Sequence, residues 1–137
     1  MAHPSPRSSP DSSTTLVGSL STVLRADPGR PLVTFYDETT GERVELSALT
    51  FDNWVSKIAN LFGDELGLEP LDGCAVRLPT HWLAPVVVLG CWAAGLVLAG
   101  PAEAAVQVVG PDDLRRSAEV DTAGKVTLAC SLRPLGG

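Results

Sequence analysis

The chain has 137 residues and a net charge of −6, from 16 acidic and 10 basic side chains. Its length fits a single domain, and its 45% hydrophobic and 19% charged residues exclude disorder over the whole chain. The acidic balance argues against binding to nucleic acid and to anionic membrane surfaces, because both need an excess of positive charge.

The first 15 residues are rich in serine and proline, and we expect them to form a disordered tail before a single α/β domain over residues 16–137. We expect no signal peptide, because no apolar segment follows the tail. Apolar residues at helical spacing then predict a first helix over Leu16–Arg25, with Ser12 or Ser13 as its N-cap.

Two short segments with the composition of β-strands come next. Residues 32–36 are mainly β-branched or aromatic, and residues 43–46 alternate polar and apolar side chains. The turn between them contains Gly41. Together they predict an antiparallel hairpin with one face in water.

The clearest amphipathic pattern follows the hairpin and predicts a second helix. Thr50 is its predicted N-cap, and Gly67 is in position to end it. The apolar stripe consists of Phe51, Trp54, Val55, Ile58, Leu61, Phe62 and Leu66. A stripe at this spacing indicates core packing rather than a cofactor site.

The rest of the chain alternates apolar strands with helices. The predicted strands cover residues 74–78, 96–99, 105–109 and 125–130, and the predicted helices cover residues 81–94 and 110–120. Pro85 is compatible with the longer of these helices if it lies in the first turn. The predicted fold class is therefore α/β, with a mostly parallel sheet covered by helices and an N-terminal β-hairpin.

Residues 83–99 are almost wholly apolar and are long enough to cross a bilayer. Prolines and glycines interrupt this segment. A buried helix followed by a buried parallel strand also has the same hydropathy as a membrane-spanning helix. We therefore expect a soluble, cytoplasmic protein, with a membrane-associated form as the alternative.

The three cysteines, Cys74, Cys91 and Cys130, all stand in apolar surroundings. An odd number without a Cys-x-x-Cys pair predicts buried free thiols in a reducing compartment. A metal site would need clustered partners, which His3 and His81 do not supply. The sequence therefore predicts no metal site.

Motifs for phosphate binding and nucleophilic catalysis are missing from the sequence. The Gly-Lys step at Gly124-Lys125 lacks the preceding glycine and the following Ser or Thr of a P-loop. There is no Gly-x-Ser-x-Gly elbow either. We therefore predict no catalytic residue and no bound cofactor.

Three further features have a functional and a structural interpretation, and the structural one is favoured for each. His81 follows a strand, where α/β proteins bind ligands, but it also suits the start of a helix. Asp112-Asp113 resembles a metal pair but is typical of a helix N-terminus. Arg115-Arg116 could meet a phosphate, although such a pair on an acidic protein is usually solvated.

Four short sequences carry a resemblance to a known family: Leu49-Thr50-Phe51, Leu66–Pro70 with Asp72, Ala75–Pro79, and Leu89 with Ala94–Val97. They are similar to a helix entry, a turn, a strand and a helix–strand unit in the N-terminal portion of the adenylate-forming superfamily, which includes acyl-CoA synthetases and AMP-dependent ligases. More narrowly, the chain resembles short actinobacterial relatives of that superfamily. It departs from the pattern at Leu71, where the family's turn usually has glycine, and at Gly73-Cys74, where it usually has Arg-Val.

The resemblance covers about Leu16 to Leu135 and implies part of an N-terminal domain of the superfamily. That superfamily holds ATP with a loop ending in Pro-Lys-Gly, binds the ribose through an acidic residue and uses a lysine from a C-terminal domain. None of these motifs occurs here, where the two lysines are Lys57 and Lys125. We therefore expect a fragment or short form of a ligase-like protein that is inactive alone.

The alternative is a non-catalytic binding or assembly module. A half-sheet cut from a larger domain leaves an edge and apolar faces uncovered. On that basis we expect either self-association or docking on a partner protein.

Overall fold

A computed structural model of the protein describes residues 15–112 and 126–132. Its helices are α1 (Leu16–Ala26), α2 (Ala48–Asn60) and α3 (Leu83–Ala93). Its strands are β1 (Pro31–Asp37), β2 (Glu42–Ser47), β3 (Gly73–Arg77), β4 (Val97–Leu98), β5 (Val106–Val109) and β6 (Val126–Ala129). Of the helix predicted over residues 110–120, the part that follows Asp112 lies outside the described residues.

Both predicted N-caps are corrected by the structure. Thr15 caps α1, where its side chain accepts from the Gly18 N–H at 2.9 Å. Ser47 caps α2 by accepting from the Thr50 N–H at 3.2 Å, so Thr50 lies inside the first turn. The cap must directly precede the first helical residue, and β2 runs into α2 without the intervening loop that the sequence suggested.

The second helix ends as the sequence predicts, although its last turn is wider. A π-helical turn over Leu61–Glu65 extends α2, and the Leu66 N–H donates to the Leu61 carbonyl at 2.9 Å. Gly67 follows with a φ of +64°, the left-handed conformation that ends many helices.

The predicted antiparallel hairpin is confirmed. β1 pairs antiparallel to β2, with Tyr36 opposite Arg43. In the connecting turn, Asp37 accepts from the Thr39 N–H at 2.9 Å, and Gly41 has a φ of +73°. This hairpin forms a two-stranded sheet of its own, separate from the main one.

The main sheet is parallel throughout its described strands, in the order β4-β3-β5-β6. α3 connects β3 to β4 and packs against both of them. The central strand β5 is wholly buried, and its Gln107 donates to Thr127 on β6 at 2.9 Å. The α/β fold class predicted from the sequence is therefore confirmed.

The long apolar segment at 83–99 divides into α3 and β4, with Pro85 in the first turn of α3 as predicted. No helix within the described ranges is long and apolar enough to cross a membrane. The strand predicted at 96–99 is present as β4 and is parallel to β3, but it is shorter than predicted, and its two residues are exposed rather than buried. Among the described strands, β4 lies at an edge of the sheet and has β3 as its neighbour.

The core joins α3, which packs on the main sheet, to α2, which packs on α3 and on the hairpin. Its buried members include Phe51, Val55 and Phe62 from the α2 segment and Val86 and Cys91 from α3. The predicted apolar stripe of α2 therefore packs in the core.

Candidate functional site

A cleft of about 390 Å³ opens at the carboxyl ends of three strands of the main sheet. Open parallel sheets commonly bind ligands at this edge. The lining comes from the ends of β3, β5 and β6: Arg77, Leu78, Pro79, Gly110, Pro111, Asp112 and Leu132. The cleft is therefore the place in the described fold where a ligand is expected.

The described lining of the cleft carries two charged side chains. Arg77 provides a guanidinium and Asp112 a carboxylate, while the other lining residues are apolar or glycine. No serine, cysteine or histidine is among the described lining residues, and the Asp112 carboxylate is the group of this described lining that could accept a proton. Arg77 supplies the positive charge of the described lining.

His81 lies between β3 and α3 and is buried, with 8% of its surface exposed. Its Nδ1 accepts from the Leu83 N–H at 3.1 Å, and its ring packs 4.9 Å from that of Phe35. Burial lowers the pKa of His81, whereas the charges of Glu42 and Asp37 act in the opposite direction. His81 is thus a neutral residue at the entry to α3, although the helix itself begins two residues later than predicted.

Three buried polar atoms near the hairpin have no hydrogen-bond partner among the described residues. They are His81 Nε2, Trp82 Nε1 and Glu42 Oε1. Because His81 Nδ1 accepts a hydrogen bond, the ring proton is on Nε2, and the group comprises two donors and one acceptor. None of these residues lines the carboxyl-end cleft.

The cysteines are free, but they differ in burial. Cys74 on β3 and Cys91 on α3 are buried as predicted, whereas Cys130 is only half-buried, because it follows the edge strand β6. The pKa of Cys74 is raised by its hydrogen bond to Cys91 and by burial, and burial also raises the pKa of Cys130. Within the described residues, no group of three or more metal-ligating side chains is close enough to hold an ion.

Two of the other residues considered in the sequence, Lys57 and Asp112, lie in the described part of the chain. Lys57 is on α2, with its Nζ 5.2 Å from the Trp54 ring centroid, and Asp112 follows β5 at the cleft. Asp113, Arg115-Arg116 and Gly124-Lys125 lie outside the described residues. Sequence reasoning missed Arg77, whose signal was its position as the last residue of β3.

No protein-family model matches the chain. A curated relative, "TIGR03089 family protein" from Mycobacterium tuberculosis, is 42% identical over 131 residues. That match covers 90% of this chain and 53% of the relative. The chain therefore spans about half the length of the curated relative that it matches.

Solved structures of fatty acyl-AMP ligases have the same arrangement of helices and strands. A fatty acid AMP ligase from Legionella pneumophila matches with a TM-score of 0.71 and 16% identity, over 84% of this chain and 23% of the ligase. The chain has the fold of part of an adenylate-forming ligase. A second match comes from a study of fatty acyl-adenylate ligases of E. coli and L. pneumophila, with a TM-score of 0.67 and 22% identity. It also covers 84% of this chain and 23% of the matched chain.

A third match is the L. pneumophila fatty acyl-adenylate ligase in complex with acyl adenylate and pyrophosphate, with a TM-score of 0.66 and 15% identity. It covers 86% of this chain and 23% of that ligase. At sequence identities this low, the similarity to the three ligase structures shows a shared fold and nothing further. The resemblance read from the sequence is confirmed, and the ligase-like fold in this chain is partial.

Proposed function

We propose that the chain is the N-terminal part, or a short form, of a ligase-like protein and that it forms no acyl adenylate by itself. The observation that carries this proposal is the combination of a ligase-like fold with a sequence that contains no Pro-Lys-Gly loop. The fold corresponds to about a quarter of the ligases that it resembles, at 23% of their length.

The physical reason lies in the charge that adenylation must stabilise. In adenylation, a carboxylate attacks the α-phosphate of ATP and pyrophosphate leaves. Negative charge develops on the phosphate oxygens, and several converging hydrogen-bond donors and a metal ion usually stabilise it. Among its described lining residues, the carboxyl-end cleft offers one guanidinium, that of Arg77, and a carboxylate at Asp112 that would repel the phosphates. This described part of the lining supplies fewer donors than the reaction needs.

The experiment that tests this proposal is exchange of labelled pyrophosphate into ATP, with fatty acids of short to long chain offered as substrates. We expect no exchange above a protein-free blank, with the L. pneumophila fatty acyl-adenylate ligase as positive control. Exchange that depends on a fatty acid would overturn the proposal. In that case Arg77→Gln, compared with the wild type, would show whether the cleft is responsible.

A second candidate function is a non-catalytic module that self-associates or docks on a partner. The observation that favours it is a group of exposed apolar side chains beside the edge strand β4. Large exposed apolar groups on an acidic protein are typical of contact surfaces when they lie together.

A further inference from the structure

The packed face of the hairpin ends in two carboxylates next to the turn. Along β1, Val33, Phe35 and Asp37 are partly buried and alternate with exposed residues, and along β2 Glu42 and Val44 follow the same alternation. Phe35 pairs with Val44, and both pack against the core. Asp37 pairs with Glu42, one step nearer the turn. This face of the hairpin is therefore apolar beside the core and acidic at its end.

His81 lies against the acidic end of the hairpin. The centroid of its ring is 4.9 Å from that of Phe35. Burial lowers the pKa of His81, and the charges of Glu42 and Asp37 oppose this shift, which requires both carboxylates to be near the ring. Because Nδ1 accepts from the Leu83 N–H at 3.1 Å, the ring is held in place with Nε2 as its donor.

His81 and Glu42 each carry a buried polar atom without a hydrogen-bond partner among the described residues. These atoms are Nε2 of His81, a residue that is 8% exposed, and Oε1 of Glu42. Within the described ranges neither a hydrogen bond nor an ion pair joins the two side chains. Buried polar atoms in folded proteins nearly always have a partner, either in the protein or in an ordered water molecule. A bridging group between the hairpin and His81 would satisfy both atoms at once.

The chemistry of the two atoms restricts what the bridging group can be. The Nε2–H needs an acceptor and the Glu42 carboxylate needs a donor, so the group must do both. A metal ion does not fit, because the protonated Nε2 has no lone pair for it and the described residues contain no group of three ligating side chains. The Glu42 charge would repel an anion. A water molecule meets both requirements.

We propose that one buried water molecule accepts from His81 Nε2–H and donates to Glu42 Oε1. Such a bridge is nearly as favourable in enthalpy as a direct hydrogen bond, and it spans a separation that a direct bond cannot. His81 lies in the segment between β3 and α3, which also supplies Leu78 and Pro79 to the carboxyl-end cleft. The water would thus tie the hairpin to the segment that forms one rim of that cleft.

A crystal structure of the whole chain, at a resolution that shows ordered waters, tests this site directly. We expect a water oxygen within about 3.2 Å of both His81 Nε2 and Glu42 Oε1. Three results would overturn the proposal: a direct hydrogen bond between the two atoms, a bridging side chain from residues outside 15–112 and 126–132, or no water shared by the two atoms.

A double-mutant cycle measures in solution whether the two side chains act together. His81→Asn keeps an acceptor for the Leu83 N–H but removes the Nε2 donor, and Glu42→Ala removes the acceptor. Urea unfolding at about pH 8, where histidine is neutral, avoids a contribution from attraction between imidazolium and carboxylate. The double variant should lose about fivefold less in the folding equilibrium constant than the product of the two single losses, as for one net hydrogen bond.

Glu38→Ala is the matched control, because Glu38 is an exposed carboxylate in the turn of the same hairpin. Its effect should combine with that of His81→Asn to within about twofold of the product. Absence of coupling between Glu42 and His81, or equal coupling for Glu38, would overturn the proposal. The water site does not depend on the proposed function, and pyrophosphate exchange is read separately, so the two failures are distinguishable.

Discussion

His81 shows how a single buried side chain couples this fold to pH. Its Nδ1 is held by the Leu83 N–H, and its ring is enclosed by Phe35 and Trp82. Bulk water therefore does not solvate a charged imidazolium. Glu42 and Asp37 lie on the hairpin and would favour the charge, but burial is the larger influence on the pKa.

We predict that the protein loses stability as the pH falls through the unfolded-state pKa of 6.5 for histidine. Because the folded-state pKa of His81 is lower, the unfolded chain binds more protons in this range, and the free energy of unfolding decreases with falling pH. His81→Asn keeps an acceptor for the Leu83 N–H but removes the titration.

The measurement is urea unfolding of wild type and His81→Asn at a series of pH values between about 5 and about 8, where histidine titrates. The variant should show a flatter dependence on pH. His3 is present in both proteins and cancels from the comparison. Equal slopes for the two proteins would contradict the account given for His81.

Leu71 stands at the turn where the superfamily that the chain resembles usually has glycine. Its φ of +73° is a conformation that favours glycine. The exposure of the side chain could not be predicted, because it depends on where β4 and the neighbouring turn lie.

Among the elements, α2 and α3 pack most closely at Gly90. A Cβ added at Gly90 would lie 2.4 Å from Cγ2 and 2.7 Å from Cβ of Ile58 on α2. Contacts this short cannot be relieved by a side-chain rotation alone, because one of them is to a Cβ atom. The glycine therefore allows the two helices to approach each other.

We predict that Gly90→Ala destabilises the fold by about 1–3 kcal/mol, the usual cost of overpacking a core. Gly63→Ala is the control, because a Cβ at Gly63 meets no atom within 4 Å. That variant should change the stability by less than about 1 kcal/mol. Urea unfolding of the three proteins measures both effects, and similar losses for the two variants would show that the helix contact is not the cause.

At the scale of the whole molecule, the chain holds a partial ligase-like fold with two distinct surfaces. The carboxyl-end cleft lies where a ligand is expected, and the exposed apolar side chains of β4 lie at an edge of the described sheet. The net charge of −6 acts on every encounter between two copies.

We predict a molar mass near 14.3 kDa by size-exclusion chromatography with light scattering, at micromolar concentration, neutral pH and low salt. Repulsion between copies that each carry a net charge of −6 should keep them apart under these conditions. Tyr36→Ser, which removes an exposed side chain on the hairpin, serves as the control for a general loss of exposed apolar surface. A dimer at low salt that persists in Tyr36→Ser and is lost in Leu71→Gly would instead support self-association.

The amino-acid sequence by itself determined the order of the described helices and strands, the hairpin, the end of α2 at Gly67 and the α/β class. These follow from side-chain periodicity and from turn residues, which act over a few neighbours along the chain. The N-caps were misplaced by a few residues, because the end of β2 depends on its pairing with β1.

Only the tertiary structure decided which strand lies at the edge and which loops meet. Leu96–Ala99 has the composition of a buried strand, but the strand order leaves β4 with one neighbour and its side chains in water. Arg77 and Leu132 are distant in the sequence and share the cleft because β3, β5 and β6 run parallel. Strand order depends on contacts between distant segments, and local side-chain patterns carry no information about it.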